Sequence, residues 1–349
     1  MQDKLCIKSM HPTALAALMA DLGQPAYRAQ QIFRWLSLGV SSFDEMTNLS
    51  KPLRAELAER CFITAPEIIR RQESARDGTV KYLFQLEDGS CIETVLMKYE
   101  HGYSICLSTQ AGCKMGCVFC ASYEKGATRN LTPAEIYDQI LWAQKDRGVR
   151  VSNIVLMGTG EPLDNYDNVL TFLRIVTHPQ GLNIGMRHIS LSTCGLVPRI
   201  DELARLKLQL TLSVSLHAPT NAIRDQLMPV NKSYPLEKLM PACRRYFEQT
   251  GRRISFEYAM IRGVNDTPQC AAALVRLLSG MQCHVNLIPL NHVDGSPLKP
   301  STRDDLRAFQ NTLIKKGITT TVRRSLGGDI DASCGQLRRK AAAQKEDGQ

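Results

Sequence analysis

The chain has 349 residues, in which 43 lysines and arginines against 34 aspartates and glutamates give a formal net charge of +9. Hydrophobic residues make up 44% and charged residues 22%, a balance that excludes a disordered chain, a collagen-like repeat and a coiled coil. This length accommodates one large α/β domain with a smaller appendage. The sequence also contains 12 cysteines, an unusually large number for a chain of this length.

The cysteines are not distributed as in a secreted disulfide scaffold, which is short and follows a signal peptide. The apolar stretch nearest the amino terminus, residues 13–20, is too short for a signal core or a membrane span and is better interpreted as an amphipathic helix. We therefore expect a cytoplasmic protein with reduced thiols and no membrane partner. In that setting, clustered cysteines more often bind metal or take part in chemistry.

The net positive charge is compatible with a polyanionic partner such as nucleic acid. The basic residues are spread along the chain, and the densest runs are 323–324 and 338–340. A solvated surface explains this spread better than a nucleic-acid patch does, so the charge alone identifies no partner.

Residues 1–75 are predicted to be helical, with a break at Gln24-Pro25, and to form an accessory domain. From residue 81 the hydrophobic period changes to two. This change predicts a β-hairpin of strands 82–86 and 91–97, because Asp88-Gly89 suits a tight turn with positive φ. The hairpin belongs to a β extension over residues 76–102, and a third strand, 103–109, leads into a cluster of cysteines.

Beyond the cysteines, strands and helices alternate. Thr132, Pro133 and Glu135 supply the N-cap, first-turn proline and capping-box glutamate of a helix that Gly148 ends. Short apolar runs follow, and most precede a segment that could be helical: 154–157, 188–192, 210–216, 254–260 and 285–290. Five or six βα units predict an α/β fold with a barrel or partial barrel over residues 103–325 and its chemistry at the carboxyl ends of the strands. Residues 326–349 would form a C-terminal loop and basic tail.

Three cysteines, Cys113, Cys117 and Cys120, lie at spacings of four and three on one loop after the first barrel strand. Thiolates in this arrangement can bind one inorganic group. A structural zinc site needs a fourth protein ligand, and no other cysteine or histidine is close by in sequence to supply it. Ferredoxin clusters also use four cysteines. Three ligands therefore favour a cluster with one iron open to a substrate or cofactor.

The motif Cys-x3-Cys-x2-Cys, with Phe119 before its last cysteine, resembles the signature of the radical S-adenosylmethionine enzymes. The resemblance implies a partial (βα)6 radical-SAM barrel in which Cys113, Cys117 and Cys120 hold a [4Fe-4S] cluster. S-adenosylmethionine would bind the open iron, and an electron from the cluster would cleave it to a 5′-deoxyadenosyl radical.

Nearly the whole chain resembles one family of this superfamily, the RNA methyltransferases that modify carbon 2 of an adenine in 23S rRNA and in tRNA. The segments that carry the resemblance are 129–131, 158–163, 191–195, 215–218, 227–229, 285–289 and 329–337. The resemblance implies 23S rRNA and tRNA as substrates, two S-adenosylmethionine molecules per turnover, and an electron donor such as flavodoxin.

The chemistry of this family assigns roles to further residues. Carbon 2 of adenine is electron-poor and does not attack a methyl sulfonium, so the family first methylates a protein thiol. By resemblance this thiol is Cys334, and Cys106 would release the product by forming a transient disulfide with it. Glu93 matches the group that takes the proton from carbon 2. Considered without the family, Glu93 is better interpreted as a surface carboxylate on a strand.

The same resemblance implies a set of residues around S-adenosylmethionine: Gly160, Glu161, Ser192, Ser215, Leu216, His217 and Asn291. Considered alone, segment 158–163 lacks the third glycine of a dinucleotide fingerprint, and His217 is better interpreted as a core histidine. The seven other cysteines are expected to be structural, with Cys194 packed near the cofactor.

Four residues depart from the family pattern: Tyr123, Ala127, Thr159 and Ser333. Two alternatives stay open. One is methylation of carbon 8 of the same rRNA adenine, as in an antibiotic-resistance branch of the family, against which Pro162 argues. The other is a non-catalytic RNA-binding protein with a metal site. In each case, the amino-terminal domain and the tail around Arg338-Arg339 are expected RNA contacts.

Overall fold

The computed structural model describes residues 4–122, 129–290 and 297–330. Its amino-terminal part contains three helices and one short parallel strand pair, and the prediction of accessory helices is confirmed here. The elements are β1 (Leu5–Cys6), α1 (Pro12–Asp21), α2 (Tyr27–Ser37), α3 (Lys51–Arg60) and β2 (Cys61–Phe62). Both α1 and α3 begin with a side-chain cap, from His11 and Ser50, followed within the first turn by a proline.

A strand, β3 (Glu67–Glu73), follows where the sequence predicted helix up to residue 75, so that prediction is wrong for this segment. Exposed and half-buried residues alternate along β3, which pairs antiparallel with β4 (Val80–Gln85) at the edge of the large sheet. Its sequence, EIIRRQE, is mostly charged. These charges conceal the strand pattern in the sequence, and they keep the open edge from pairing with other chains.

The predicted hairpin is confirmed. β4 pairs antiparallel with β5 (Cys91–Tyr99) across a turn in which Gly89 has a φ of 79°. β5 in turn pairs antiparallel with β6 (Gly102–Cys106). Because β6 is parallel to the strand on its other side, it joins this β extension to the barrel.

The remaining elements form the barrel. The short strands β7 (Gln110–Ala111) and β8 (Arg129–Asn130) pair with each other on either side of the cysteine loop. The βα alternation then runs through the following elements: α4 (Pro133–Arg147), β9 (Val151–Leu156), α5 (Tyr166–Val176), β10 (Ile189–Thr193), α6 (Val197–Arg205), β11 (Thr211–Ser215), α7 (Asn221–Leu227), α8 (Leu236–Thr250), β12 (Ile254–Met260), α9 (Pro268–Leu278), β13 (Cys283–Pro289), α10 (Arg303–Lys315) and β14 (Thr319–Val322).

Strands β3–β6 and β9–β14 form one ten-stranded sheet in the order β14-β13-β12-β11-β10-β9-β6-β5-β4-β3. Its strands are parallel from β14 to β6. The strands from β6 to β13 give six βα units, which confirms the predicted partial (βα)6 barrel. The capping box of Thr132 and Glu135 and the left-handed Gly148 bound α4 as the sequence predicted. No helix in the described ranges is both long and apolar enough to cross a membrane.

A buried ion pair fixes the amino-terminal part to the barrel. The Lys8 Nζ atom donates to Asp138 Oδ1 of α4 at 2.6 Å and to the Thr64 carbonyl at 2.6 Å, and both charged side chains are fully buried. The Thr64 hydroxyl donates to the second carboxylate oxygen. Burial raises the pKa of Asp138 to about 6, against the opposing effect of Lys8. Because neither charge is hydrated, removal of either residue would leave the other as an uncompensated buried charge.

We expect Lys8→Met to lower the free energy of unfolding by about 3–5 kcal/mol, because it leaves Asp138 buried without its counter-charge. Replacing both residues, as Lys8→Met with Asp138→Leu, should recover most of this loss. Urea unfolding of the three proteins at pH 7.5 measures both effects. Equal losses in the single and double variants would contradict this role of the pair.

Candidate active site

The three cysteines of the motif lie on the loop that follows β7, and each is half-buried. Two backbone hydrogen bonds shape the loop: Cys120 N donates to Cys117 O, and Val118 N donates to Leu227 O, each at 3.1 Å. The second bond fastens the loop to the end of α7. Apolar contacts add to it, since Cys117 and Phe119 pack against a small buried cluster of Cys194, Leu227, Met228 and Ile261.

Burial raises the pKa of Cys113 to about 11, with smaller contributions from the nearby Cys120 and Glu161. Burial also raises the pKa of Cys117, again with contributions from the other two thiols of the motif. None of the three thiols is in a disulfide. Within the described ranges, no three possible ligands meet closely enough for a single metal ion. A four-iron cluster spreads its cysteine ligands more widely than one ion does, so three thiols on one loop fit such a cluster with an open iron.

The loop after β9 passes very close to β7, where the cysteine-bearing loop begins. Gly160 has a φ of 110°, and a Cβ atom there would lie 2.6 Å from the Cβ atom of Gln110. Gln110 Oε1 also accepts a hydrogen bond from Glu161 N at 2.9 Å. Only glycine fits this conformation and this approach, so Gly160 sets the distance between the two loops.

Glu161 is buried in the loop after β9, at the carboxyl ends of the strands, and connects the ends of β9 and β10. Its carboxylate accepts hydrogen bonds from Leu163 N at 3.0 Å and from Cys194 N at 2.7 Å. Burial raises the pKa of Glu161, against the lowering effect of these two bonds. The side chain thus holds the loop after β9 against the carboxyl end of β10.

Ser192 and Ser215 lie near the carboxyl ends of the adjacent parallel strands β10 and β11, and Leu216 and His217 directly follow β11. His217 adopts a left-handed φ of 53°, and its Nδ1 accepts a hydrogen bond from Ala259 N at 2.9 Å. Burial lowers the pKa of His217 to about 3, so the ring is neutral at physiological pH. Its ring meets that of Phe119 edge-on at 4.7 Å. His217 is therefore a satisfied core histidine that also contacts the cysteine loop.

Arg224 of α7 holds this region together, and the sequence analysis did not identify it. Its guanidinium is completely buried and donates to Cys194 O at 2.7 Å, Leu216 O at 3.2 Å and Asn231 Oδ1 at 2.8 Å. One side chain thus connects the residues that follow β10 with those that follow β11. An arginine within an amphipathic helix gives no local signal of this role, because its partners lie on other elements.

Glu93 and Cys106 lie on one face of neighbouring strands. Val95 is directly opposite Cys106 in the pairing of β5 with β6, and Glu93, two residues from Val95, shares its face. Glu93 is only 4% exposed, and its carboxylate forms an ion pair with the fully buried Lys81 of β4 at 3.2 Å. The interpretation of Glu93 as a surface carboxylate is thus wrong. Lys81 was not identified from the sequence, because the pair forms across two strands.

Two of the residues implied by the resemblance, Cys334 and Asn291, lie outside the described residues. The segment leading toward Cys334 is nevertheless fixed to the turn between β3 and β4. Asp329 accepts hydrogen bonds from the Ser74 hydroxyl at 2.5 Å and from Ala75 N at 2.9 Å, and Gly327 N donates to Asp77 at 2.8 Å.

The seven other cysteines occupy structural positions. Cys6 and Cys91 are half-buried, and the rest are buried: Cys61, Cys194, Cys243, Cys270 and Cys283. Cys194 lies in the apolar cluster beneath the cysteine loop, next to Glu161.

Comparison with known proteins defines the class to which this fold and site belong. Residues 107–272 match the radical SAM superfamily, and residues 7–63 match the ribosomal RNA large subunit methyltransferase N-terminal domain. The crystal structure of a radical SAM methyltransferase from Sphaerobacter thermophilus aligns with a TM-score of 0.90 and 44% sequence identity, covering 95% of this chain and 98% of that one. The protein is a radical-SAM methyltransferase, with the [4Fe-4S] cluster and S-adenosylmethionine chemistry of that superfamily.

Curated relatives narrow this class to one family. A probable dual-specificity RNA methyltransferase RlmN of Alkaliphilus oremlandii is 54% identical over 338 residues, covering 97% of this chain and 98% of the relative. The corresponding protein of Pelotomaculum thermopropionicum is 54% identical over 346 residues, covering 99% and 94%. The chain belongs to the RlmN family of RNA methyltransferases, which confirms the resemblance seen in its sequence. The alternative of a non-catalytic RNA-binding protein is set aside.

We expect Gly160→Ala to destabilise the protein more than Gly251→Ala does. Both glycines have positive φ, but a Cβ atom at Gly251 meets nothing within 4 Å. The control therefore adds only backbone strain of about 1 kcal/mol, whereas Gly160→Ala adds an overlap with Gln110 of about 1–3 kcal/mol more. Urea unfolding of the two variants gives the comparison. Equal losses would show that the loops can separate without cost.

Proposed function

We propose that this protein methylates carbon 2 of an adenine in 23S rRNA and of an adenine in tRNA, through a methyl group carried on Cys334. The observation that carries the proposal is that Glu93 and Cys106 lie on one face of β5 and β6, with Cys106 seven residues before Cys113, the first cysteine of the cluster loop. A buried base and a buried thiol beside a radical-generating site are what this reaction requires. The proposal of two RNA substrates is supported by the relatives, which are named as probable dual-specificity RNA methyltransferases.

The residues of the chain divide the work of the reaction. Cys113, Cys117 and Cys120 hold the cluster, which supplies the electron for cleavage of S-adenosylmethionine. Gly160, Glu161, Ser192, Ser215, Leu216, His217 and Asn291 bind that cofactor, and two molecules of it are used per turnover. Cys334 carries the methyl group to the base. Glu93 takes the proton from carbon 2, and Cys106 then forms a disulfide with Cys334 that frees the methylated RNA.

Lys81 positions Glu93 for this step. A carboxylate that is almost completely buried would be costly to ionise without a counter-charge, and Lys81 supplies one at 3.2 Å. Burial also keeps water away from the Glu93 carboxylate, so that the carboxylate meets the target adenine and not the solvent.

Methylation of carbon 2 is proposed over carbon 8 because Pro162, a buried residue of the loop after β9, matches the carbon-2 branch of the family. We further propose a cytoplasmic location and an electron donor of the flavodoxin type. Mass spectrometry of nucleosides from rRNA and tRNA of cells with and without the gene tests the whole assignment. Loss of 2-methyladenosine from both RNAs is expected, and loss of 8-methyladenosine instead would overturn it.

We expect Cys106→Ala to stop product release while cofactor cleavage continues. With no resolving thiol, RNA should remain attached to Cys334 and appear as a covalent adduct on a denaturing gel, with at least a hundredfold less methylated product. Cys243→Ala, which removes a buried cysteine of α8, is the control and should release product normally. Normal release by Cys106→Ala would contradict the assigned role.

We expect Glu93→Gln also to accumulate a covalent adduct between the RNA and Cys334, because an amide cannot take the proton from carbon 2. Its adduct should differ from that of Cys106→Ala in keeping the hydrogen on carbon 2, which mass spectrometry of RNA deuterated at that position detects. Deuterium lost equally from both variants would rule out Glu93 as the base.

A further inference from the structure

A cavity of about 580 Å³ lies inside the partial barrel, at the end away from the cysteine loop. We call it the lower-lumen cavity. It is bounded below by residues at the amino ends of the strands, among them Thr211, Arg252 and Arg253, and extends upward to Met157 and Arg323. Met97, Val155 and Met157 line its upper part and also pack in the small cluster that contains Cys106. The cavity therefore begins directly below the proposed resolving cysteine.

The charge of this cavity is positive. Arg252, Arg253 and Arg323 line it, and in the described ranges none of the three forms an ion pair with a carboxylate. Glu257 also lines it and accepts hydrogen bonds from Ser255 at 3.1 Å and from Asn286 at 2.8 Å, so three guanidinium groups line the cavity against one carboxylate. A concave site with such a balance of charge concentrates anions.

The walls also offer groups that suit a base and a ribose. The rings of Tyr99 and His101 stack with their centroids 5.2 Å apart and their planes within 16°. Beside them lie hydroxyl groups, including the hydrogen-bonded pair of Ser190 and Ser213 at 2.9 Å. Arginines that meet phosphate, aromatic faces and hydroxyl groups are the combination by which proteins bind single-stranded RNA.

The position of the cavity separates it from the modified base. Glu93 and Tyr99 are six residues apart on β5, a distance of roughly 20 Å along the strand. A base whose carbon 2 meets Glu93 therefore cannot also stack on Tyr99. Another nucleotide of the same strand can.

We propose that the lower-lumen cavity binds a nucleotide of the substrate RNA other than the one that is methylated, with Arg252, Arg253 and Arg323 at its phosphates and the Tyr99–His101 pair against its base. This inference rests on the proposed function, since it assumes an RNA strand whose target adenine reaches Glu93. It assigns to the cavity the task of fixing the strand while the target base enters the upper lumen.

The test compares two double variants with equal charge loss: Arg252→Ala with Arg253→Ala in the cavity, and Arg276→Ala with Arg307→Ala on the exposed outer faces of α9 and α10. Binding of an unmodified tRNA transcript is measured at several salt concentrations. The cavity variant should bind about tenfold more weakly and show a salt slope lower by roughly 1.4–1.8, as expected from two lost phosphate contacts. The outer variant should bind like the wild type.

Further variants separate binding from folding. Arg252→Lys with Arg253→Lys keeps the charge and should recover most of the affinity, which a damaged fold would not. Tyr99→Ala should weaken binding roughly fivefold or more, whereas Tyr99→Phe should keep the stacking and the affinity. Photocrosslinking of tRNA that carries 4-thiouridine a few nucleotides away from the target adenine should label residues 97–101 or 252–253.

The outcomes distinguish this inference from the function on which it rests. If the wild type methylates both RNAs while the cavity and outer variants bind tRNA equally, the cavity does not hold the strand and the function stands. Crosslinks confined to the outer helices would lead to the same result. If the wild type methylates neither RNA, the proposed function fails and the cavity assignment fails with it.

Discussion

The buried guanidinium of Arg224 is the interaction on which the arrangement of the site depends. It donates to the carbonyls of Cys194 and Leu216, and thereby fixes the ends of β10 and β11 at one distance from each other. A buried cation is costly unless its surroundings compensate it. Here carbonyl oxygens do so, and burial lowers the pKa of Arg224. Burial raises the pKa of Cys117, and the charge of Arg224 opposes this rise, so that it favours the thiolate form that an iron ligand requires.

The parallel sheet brings the rest of the site together. The carboxyl ends of parallel strands all lie on the same side of the sheet. The loops after β6, β9, β10 and β11 therefore lie close together in space although they are far apart in the sequence. Glu161 and Gly160 then adjust the distances, Glu161 through the bond to Cys194 and Gly160 through its close approach to Gln110. The strand ends thus determine where the site residues lie, and the buried side chains of Glu161 and Arg224 hold the loops that carry them in position.

Much of this was visible in the sequence because its signals are local. Asp88-Gly89 marks the hairpin, Thr132 and Glu135 mark the start of α4, and the apolar runs mark the strands of the barrel. What the sequence did not show depends on partners far along the chain. The burial of Glu93 requires Lys81 across the sheet, and Arg224 is defined by the carbonyls that it meets. The strand β3 was missed for a related reason, because it lies at an edge and its charged side chains face water.

The turn that follows strand β3 contacts the segment that leads toward Cys334. The turn between β3 and β4 holds Asp329 through Ser74 and Ala75, and Cys334 follows Asp329 by five residues in the sequence. The same β4 carries Lys81 to Glu93. The β extension therefore does more than enlarge the sheet: its turn binds Asp329 in the segment that precedes Cys334, and its strand β4 supplies the counter-charge for Glu93, the proposed base. In the proposed mechanism, the two residues that distinguish this reaction from simple radical generation, Cys334 and Glu93, are thus both linked along the chain or by an ion pair to strands outside the barrel.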